Sequence, residues 1–134
     1  MLRILIVDDH PDTAEAISML LAAIGHETTI ACTGRAGLDA VKTFPPDLVI
    51  LDIGLPDISG YEVACAIRAL PFGAGIHLVA ATGWGTPEDR VRALAAGFDQ
   101  HQLKPLDLRK LQAIIATAVE RVTSPDRVVA SSPA

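Results

Sequence analysis

Short apolar runs and helix-like apolar periods alternate five times along the chain. Residues 4–7, 48–51 and 76–81 are continuous runs of Ile, Leu, Val and Ala, interrupted only by His77. Unbroken apolar character over so short a stretch is the pattern of a strand buried on both faces of a parallel sheet. Residues 27–31 and 101–103 are weaker and half polar, which suits strands at the sheet edges.

The segments between them have helical spacing. Ile17, Leu20, Leu21 and Ile24 fall at i, i+3, i+4 and i+7 and make one apolar stripe. Asp12 followed by Glu15 has the form of a capping box, and Gly25 is a stop. A second helix is expected over about 35–42, ending before Pro45 and Pro46, which cannot continue it. A third is expected over about 61–70, and a fourth over about 87–96, closed by Gly97. Leu108, Leu111, Ile115, Ala118 and Val122 mark the fifth, with Asp107 as its cap. After Thr123 the chain turns to Ser, Pro and Ala, so residues 124–134 read as a disordered tail behind one domain over 1–123.

Five strand–helix units joined by right-handed crossovers make an α/β domain with a doubly wound parallel sheet and helices on both faces. In such sheets ligands bind beyond the carboxyl ends of the strands. Composition narrows the function classes. The 134 residues suit a single domain, half of them are hydrophobic, and the core is aliphatic because only 4% are aromatic. A formal net charge of −5 argues against a nucleic-acid face. No apolar run approaches the length of a membrane span, and no signal peptide precedes the first strand. Cys32 and Cys65 read as two reduced, partly buried thiols, which places the chain in the cytoplasm.

The strand ends carry the chemistry. The first strand runs into Asp8-Asp9, the third into Asp52, the fourth into Thr82 and the fifth into Lys104-Pro105. Three carboxylates, a hydroxyl and an ammonium are thus expected on one rim. Carboxylates gathered there raise one another's pKa unless a cation sits among them. A few oxygen ligands with room for water suit Mg²⁺, or else Mn²⁺, rather than Zn²⁺. A carboxylate is also a competent nucleophile toward phosphorus, giving an acyl phosphate. Asp52, central in the sheet, is the best-placed nucleophile, and Asp8 and Asp9 are better placed to hold the metal.

These residues resemble those of the receiver domain of two-component response regulators, over roughly residues 2–122. The resemblance rests on Ile6-Val7-Asp8-Asp9, on Asp52-Ile53-Gly54-Leu55-Pro56-Asp57-Ile58-Ser59-Gly60, on Ala81-Thr82-Gly83, on Ala96-Gly97-Phe98-Asp99 and on Leu103-Lys104-Pro105. It implies a flavodoxin-like strand order, 2-1-3-4-5. It implies that Asp52 is the phosphoacceptor, that Asp9 ligates Mg²⁺ directly and Asp8 through water, and that the Gly54 carbonyl is a further ligand. Thr82 would hydrogen-bond the phosphoryl group and Lys104 would pair with it, aimed inward by a cis bond to Pro105. The donor would be a phosphohistidine on a sensor histidine kinase or a phosphotransfer domain. The resemblance further implies a regulatory domain rather than a turnover enzyme, monomeric or weakly dimeric. Its output surface would be the fourth helix, fifth strand and fifth helix, where Val91, Leu94, Leu108, Leu111 and Ile115 are expected to be mostly core.

Two positions depart from the family pattern. His101 stands where a Tyr or Phe often serves as a rotamer switch, and an imidazole there would add pH sensitivity. Trp84, between Gly83 and Gly85, stands where attacking water would approach, and is expected to set how long the phosphate survives. The stretch around Trp84 is similar to receivers of hybrid kinases. Three other readings compete. A phosphatase resembling the haloacid dehalogenase class wants an acid two positions past its nucleophile, where this chain has Gly54. An interaction-only module would lack one of the acidic residues, the Thr or the Lys. A flavin-binding domain needs a hydroxyl-rich loop where Asp8-Asp9-His10-Pro11 stands.

Overall fold

A computed structural model describes residues 1–83 and 85–123, and for Val122 and Thr123 only the backbone. The expectations for Trp84 and for a disordered tail at 124–134 lie outside the described residues. The elements run β1 (Arg3–Val7), α1 (Pro11–Ala23), β2 (Glu27–Ala31), α2 (Gly34–Thr43), β3 (Leu48–Asp52), α3 (Gly60–Ala69), β4 (His77–Thr82), α4 (Pro87–Ala96), β5 (Gln100–Leu103) and α5 (Leu108–Thr123). A single 3₁₀ turn, Gly73–Gly75, precedes β4.

All four strand pairings are parallel, in the order β2-β1-β3-β4-β5. The expected architecture and order are both present, with the half-polar strands at the edges. Because side chains alternate across a strand, each central strand feeds two cores. Leu5, Val7, Val49, Leu51, Leu78 and Ala80 pack with Val41 of α2, Val63 and Ile67 of α3 and Ala93 of α4. Ile4, Ile6, Leu48, Ile50, Val79 and Ala81 pack with Ile17 and Leu21 of α1 and Leu111 and Ile114 of α5.

Several local expectations are corrected. Asp12 does not cap α1: the helix begins at Pro11, whose fixed φ suits the first helical position, and Asp12 lies inside the first turn behind His10. Ile24 falls just past the helix and is exposed, while Gly25 takes the expected left-handed turn at φ 95°. The capping box instead opens α4, where Thr86 and Asp89 satisfy each other's backbone amides. On α5 the buried stripe runs through Leu111, Ile114 and Ala118, so Leu108 is exposed and Ile115 half-buried. Val91 and Leu94 are also exposed, at 67% and 65%, so the outer face of α4 is not core. α4 buries only Ala93 and Ala96, small residues that bring one edge of the helix against the core. Cys32 and Cys65 are free and exposed, not partly buried. Among the described residues no helix is long and apolar enough to cross a membrane.

Candidate functional site

The sheet order reverses between β1 and β3, so their carboxyl ends open side by side. Val7 pairs with Leu51, which sets Asp8 beside Asp52 at the next step. Asp8 and Asp52 are both buried, at 3% and 6% exposure, while Asp9, one position on, is half-exposed at the mouth. Lys104 follows β5 and reaches across β4 to both buried carboxylates. Its Nζ lies 3.0 Å from Asp8 Oδ2 and 3.3 Å from Asp52 Oδ2. The Lys104-Pro105 peptide bond is cis, as the resemblance implied.

The backbone holds these side chains in place. The Gly54 amide donates to Asp52 Oδ1 over 3.1 Å. The Lys104 amide donates to the Thr82 carbonyl over 2.8 Å, which joins the ends of β4 and β5. Thr82 closes β4 and is buried beside Asp52, since Asp52 pairs with Ala81. Gly60 opens α3 directly under the loop after Asp52. A Cβ there would stand 2.6 Å from the Asp52 carbonyl oxygen, so no larger residue fits without moving the strand end. Asp57 in the same loop accepts from the Gly34 and Arg35 amides at the start of α2, over 2.9 and 3.0 Å. Those two bonds hold its carboxyl well below the ordinary range, at about 2.

Burial sets the electrostatics. Asp52 has its pKa raised mainly by loss of water, with the Asp8 charge adding to the effect; the Gly54 amide and Lys104 oppose it and do not win. Burial disfavours the Lys104 charge. The hydrogen bond to Asp8 and the charges of Asp52 and Asp8 outweigh that and hold Lys104 above the ordinary lysine range. The rise at Asp52 therefore comes chiefly from burial, and the neighbouring Asp8 charge contributes less than the expected repulsion among carboxylates.

One residue of the cluster was not singled out from sequence. His10 Nδ1 lies 3.0 Å from Asp8 Oδ1 and 3.2 Å from Asp9 Oδ1. Only the first contact has hydrogen-bond geometry, and Asp9 Oδ1 is left buried with no hydrogen-bond partner. Asp8, Asp9, His10 and Asp52 each offer a ligand atom within 4.8 Å of the others, so the cluster is able to bind a metal. The orphaned Asp9 oxygen and the crowded carboxylates fit a divalent cation, which would relieve both. His101 lies apart from this cluster, in β5, with both ring nitrogens buried and unpaired. Burial and the nearby Arg90 charge lower its pKa, against an opposing pull from Asp89.

The comparisons with known proteins agree with this geometry. Residues 4–116 match the response regulator receiver domain family. The transcriptional regulatory protein KdpE of Mycobacterium tuberculosis is 37% identical over 124 residues, covering 92% of this chain and 54% of that protein. The DNA-binding response regulator MtrA of Mycolicibacterium smegmatis is 34% identical over 119 residues, covering 89% of this chain and 51% of that protein. The chain thus spans about half the length of these two curated relatives. A crystal structure of a CheY-like response regulator receiver domain protein from Methanospirillum hungatei superposes with a TM-score of 0.81 at 32% identity, covering 89% of this chain and 94% of that one. Fold, strand-end residues and relatives converge: the chain belongs to the response regulator receiver domain family, the receiver domains of two-component systems.

Proposed function

We propose that this domain, residues 1–123, accepts a phosphoryl group on Asp52 from a phosphohistidine of a partner kinase or phosphotransfer domain. An Asp52 carboxylate oxygen forms the new O–P bond as the N–P bond to the donor imidazole breaks, and the imidazole leaves by taking up a proton. Asp9, Asp52 and the Gly54 carbonyl would hold Mg²⁺, or Mn²⁺, with Asp8 acting through water. Bound there, the ion would neutralise charge on the phosphoryl oxygens.

The observation that carries this reading is the Lys104 ammonium, held by a cross-sheet ion pair within 3.3 Å of the carboxylate that would be esterified. Once Asp52 carries a phosphoryl group, Lys104 has a dianion to pair with in place of two carboxylates. Thr82 would hydrogen-bond the same group, and its backbone link to Lys104 would move the ends of β4 and β5 together. The surface that responds would be α4, β5 and α5, where Val91, Leu94, Leu103 and Leu108 are exposed apolar contacts for a partner or a second copy. His101 on β5 would take the place of an aromatic switch.

Receiver domains interact with histidine kinases. A groove of about 530 Å³, lined by Asp12, Ala16, Leu20, Lys104 and Leu106 among others, gives such a partner an approach beside the pocket. Gly54 brings no acid to the position where a turnover phosphatase needs one, which favours a regulatory domain that catalyses only its own phosphorylation and dephosphorylation. Titration with beryllofluoride, a phosphoryl mimic, tests the reading by calorimetry. Binding that requires Mg²⁺ and disappears in Asp52→Asn is expected; equal binding by the variant overturns it.

A further inference from the structure

We propose that Asp57 is a positioning residue for the cation pocket: by bridging the loop after Asp52 to the start of α2, it holds Gly54 in place for the ion and so sets how tightly the pocket binds Mg²⁺. This rests on the proposed cation site and goes beyond it by assigning a residue that would touch neither the ion nor the phosphoryl group.

The geometry carries the argument. Residues 53–59 join β3 to α3 and include Gly54, whose carbonyl the proposed site uses. Two bonds tie the ends of this loop to each other and to Asp52. The Gly54 amide donates to Asp52 Oδ1 over 3.1 Å, and the Gly60 amide donates to the Ile53 carbonyl over 2.9 Å. Asp57 ties the loop to a different element. Its Oδ1 accepts from the Gly34 amide over 2.9 Å, and its Oδ2 accepts from the Arg35 amide over 3.0 Å. Those amides lie in the first turn of α2, where a helix has no acceptors of its own. The helix already has its own cap, since Thr33 accepts from the Ala36 amide over 3.0 Å. The two Asp57 bonds therefore join loop to helix as well as serving the helix start. Ile58, the next residue of the loop, lies against the same turn: a Cβ on Gly34 would stand 2.5 Å from its Cγ1. The Asp57 carboxyl, held at about 2, keeps its charge and both bonds at neutral pH. A loop anchored in this way presents its ligand without having to be ordered when the ion binds, and metal affinity depends on such support beyond the ligands themselves.

Calorimetry measures Mg²⁺ binding, and beryllofluoride binding at saturating Mg²⁺, in the wild type, Asp57→Ala, Asp57→Asn and Thr33→Ala. Thr33→Ala weakens the start of α2 but leaves the loop anchored, so it separates capping from positioning. Asp57→Ala should weaken Mg²⁺ by about tenfold, the low end for loss of an outer support at a metal site. At saturating Mg²⁺ its beryllofluoride affinity should return close to the wild-type value, because the bound ion then orders the loop. Asp57→Asn keeps one acceptor oxygen. Its Mg²⁺ affinity should fall between the two, and it decides the matter if Asp57→Ala does not fold. Thr33→Ala should bind Mg²⁺ as the wild type does. Hydrogen exchange of the Gly54 amide should quicken in Asp57→Ala and stay unchanged in Thr33→Ala. Wild-type Mg²⁺ affinity in the Asp57 variants, an equal loss in Thr33→Ala, or a loss of beryllofluoride binding that saturating Mg²⁺ does not recover each overturns the inference while leaving the cation site standing. Failure of the wild type to bind Mg²⁺, with or without beryllofluoride, overturns the cation site and this inference with it.

Discussion

Asp8 and Lys104 lie 96 positions apart in the chain and meet through a hydrogen bond of 3.0 Å. The contact draws the first and last strands of the domain toward one pocket, and it brings the same ammonium to Asp52. Removing Lys104 would leave two buried carboxylates facing each other without a counter-charge. Lys104→Met is expected to destabilise the domain by about 2–3 kcal/mol at neutral pH, slightly below the range for a fully buried pair because the ammonium is partly solvated. Adding Asp52→Asn to that variant should recover part of the loss. Thermal melts of the two single variants and the double variant measure the coupling, and strict additivity would contradict it.

Asp52→Asn alone should stabilise the metal-free protein. The folded state raises the Asp52 pKa above its ordinary 3.8, so at neutral pH folding buries a charge at a cost. As pH falls through the raised value the folded form takes up a proton first, and that cost is relieved. The variant should therefore melt about 3 °C higher at pH 7, roughly 1 kcal/mol at this chain length, with the gap closing in acid. Mg²⁺ should raise the melting point of the wild type more than that of the variant.

The histidines act in the opposite direction, and through them acid should weaken the fold. His77 has its pKa lowered from 6.5, chiefly by burial, and His26 and His101 are lowered from the same value for the same reason. Each lowered imidazole resists protonation in the fold, while the unfolded chain accepts the proton. Stability is therefore full above pH 6.5 and is lost as pH drops below it, toward the depressed folded values. His77→Leu should flatten that slope between pH 7 and pH 5 at the cost of its 2.8 Å bond to Gln100. A slope unchanged by the substitution would assign the acid sensitivity elsewhere.

Arg68 binds the far end of the sheet from the pocket. It donates to the carbonyls of Gly97, Gly73 and Ile76 and to Asp99, over 2.6–2.9 Å. Arg68→Ala would take their donor from the part-buried Gly97 and Ile76 carbonyls, while Gly73 keeps the Ile76 amide, and should destabilise by about 2–3 kcal/mol. Arg68→Lys should rescue little, because an ammonium cannot reproduce the planar fork. Beryllofluoride affinity of the folded variant should stay at the wild-type value, and a loss there would tie this network to the pocket.

The alternating apolar runs made the sheet legible, because strands buried on both faces leave little freedom in composition. The pocket was legible because Asp8, Asp9, Asp52 and Lys104 stand at strand ends that the topology gathers. His10 was not, since its bond to Asp8 depends on a side-chain direction that spacing does not encode. The start of α1 was misread for a related reason: Asp12 and Glu15 have the capping spacing, but Pro11 starts the helix two residues earlier than an Asp12 cap would. The exposure of Val91 and Leu94 also escaped the pattern, because apolar periodicity identifies a face without saying whether anything covers it.

Phosphoryl acceptance would rest on one carboxylate, Asp52. The most direct measurement exposes the protein to a small phosphodonor with Mg²⁺, traps the acyl phosphate by borohydride reduction and locates the reduced residue by peptide mass spectrometry. Reduction is expected at Asp52 alone, dependent on the divalent ion and absent in Asp52→Asn. Reduction at another residue, or the same yield in the variant, would contradict it.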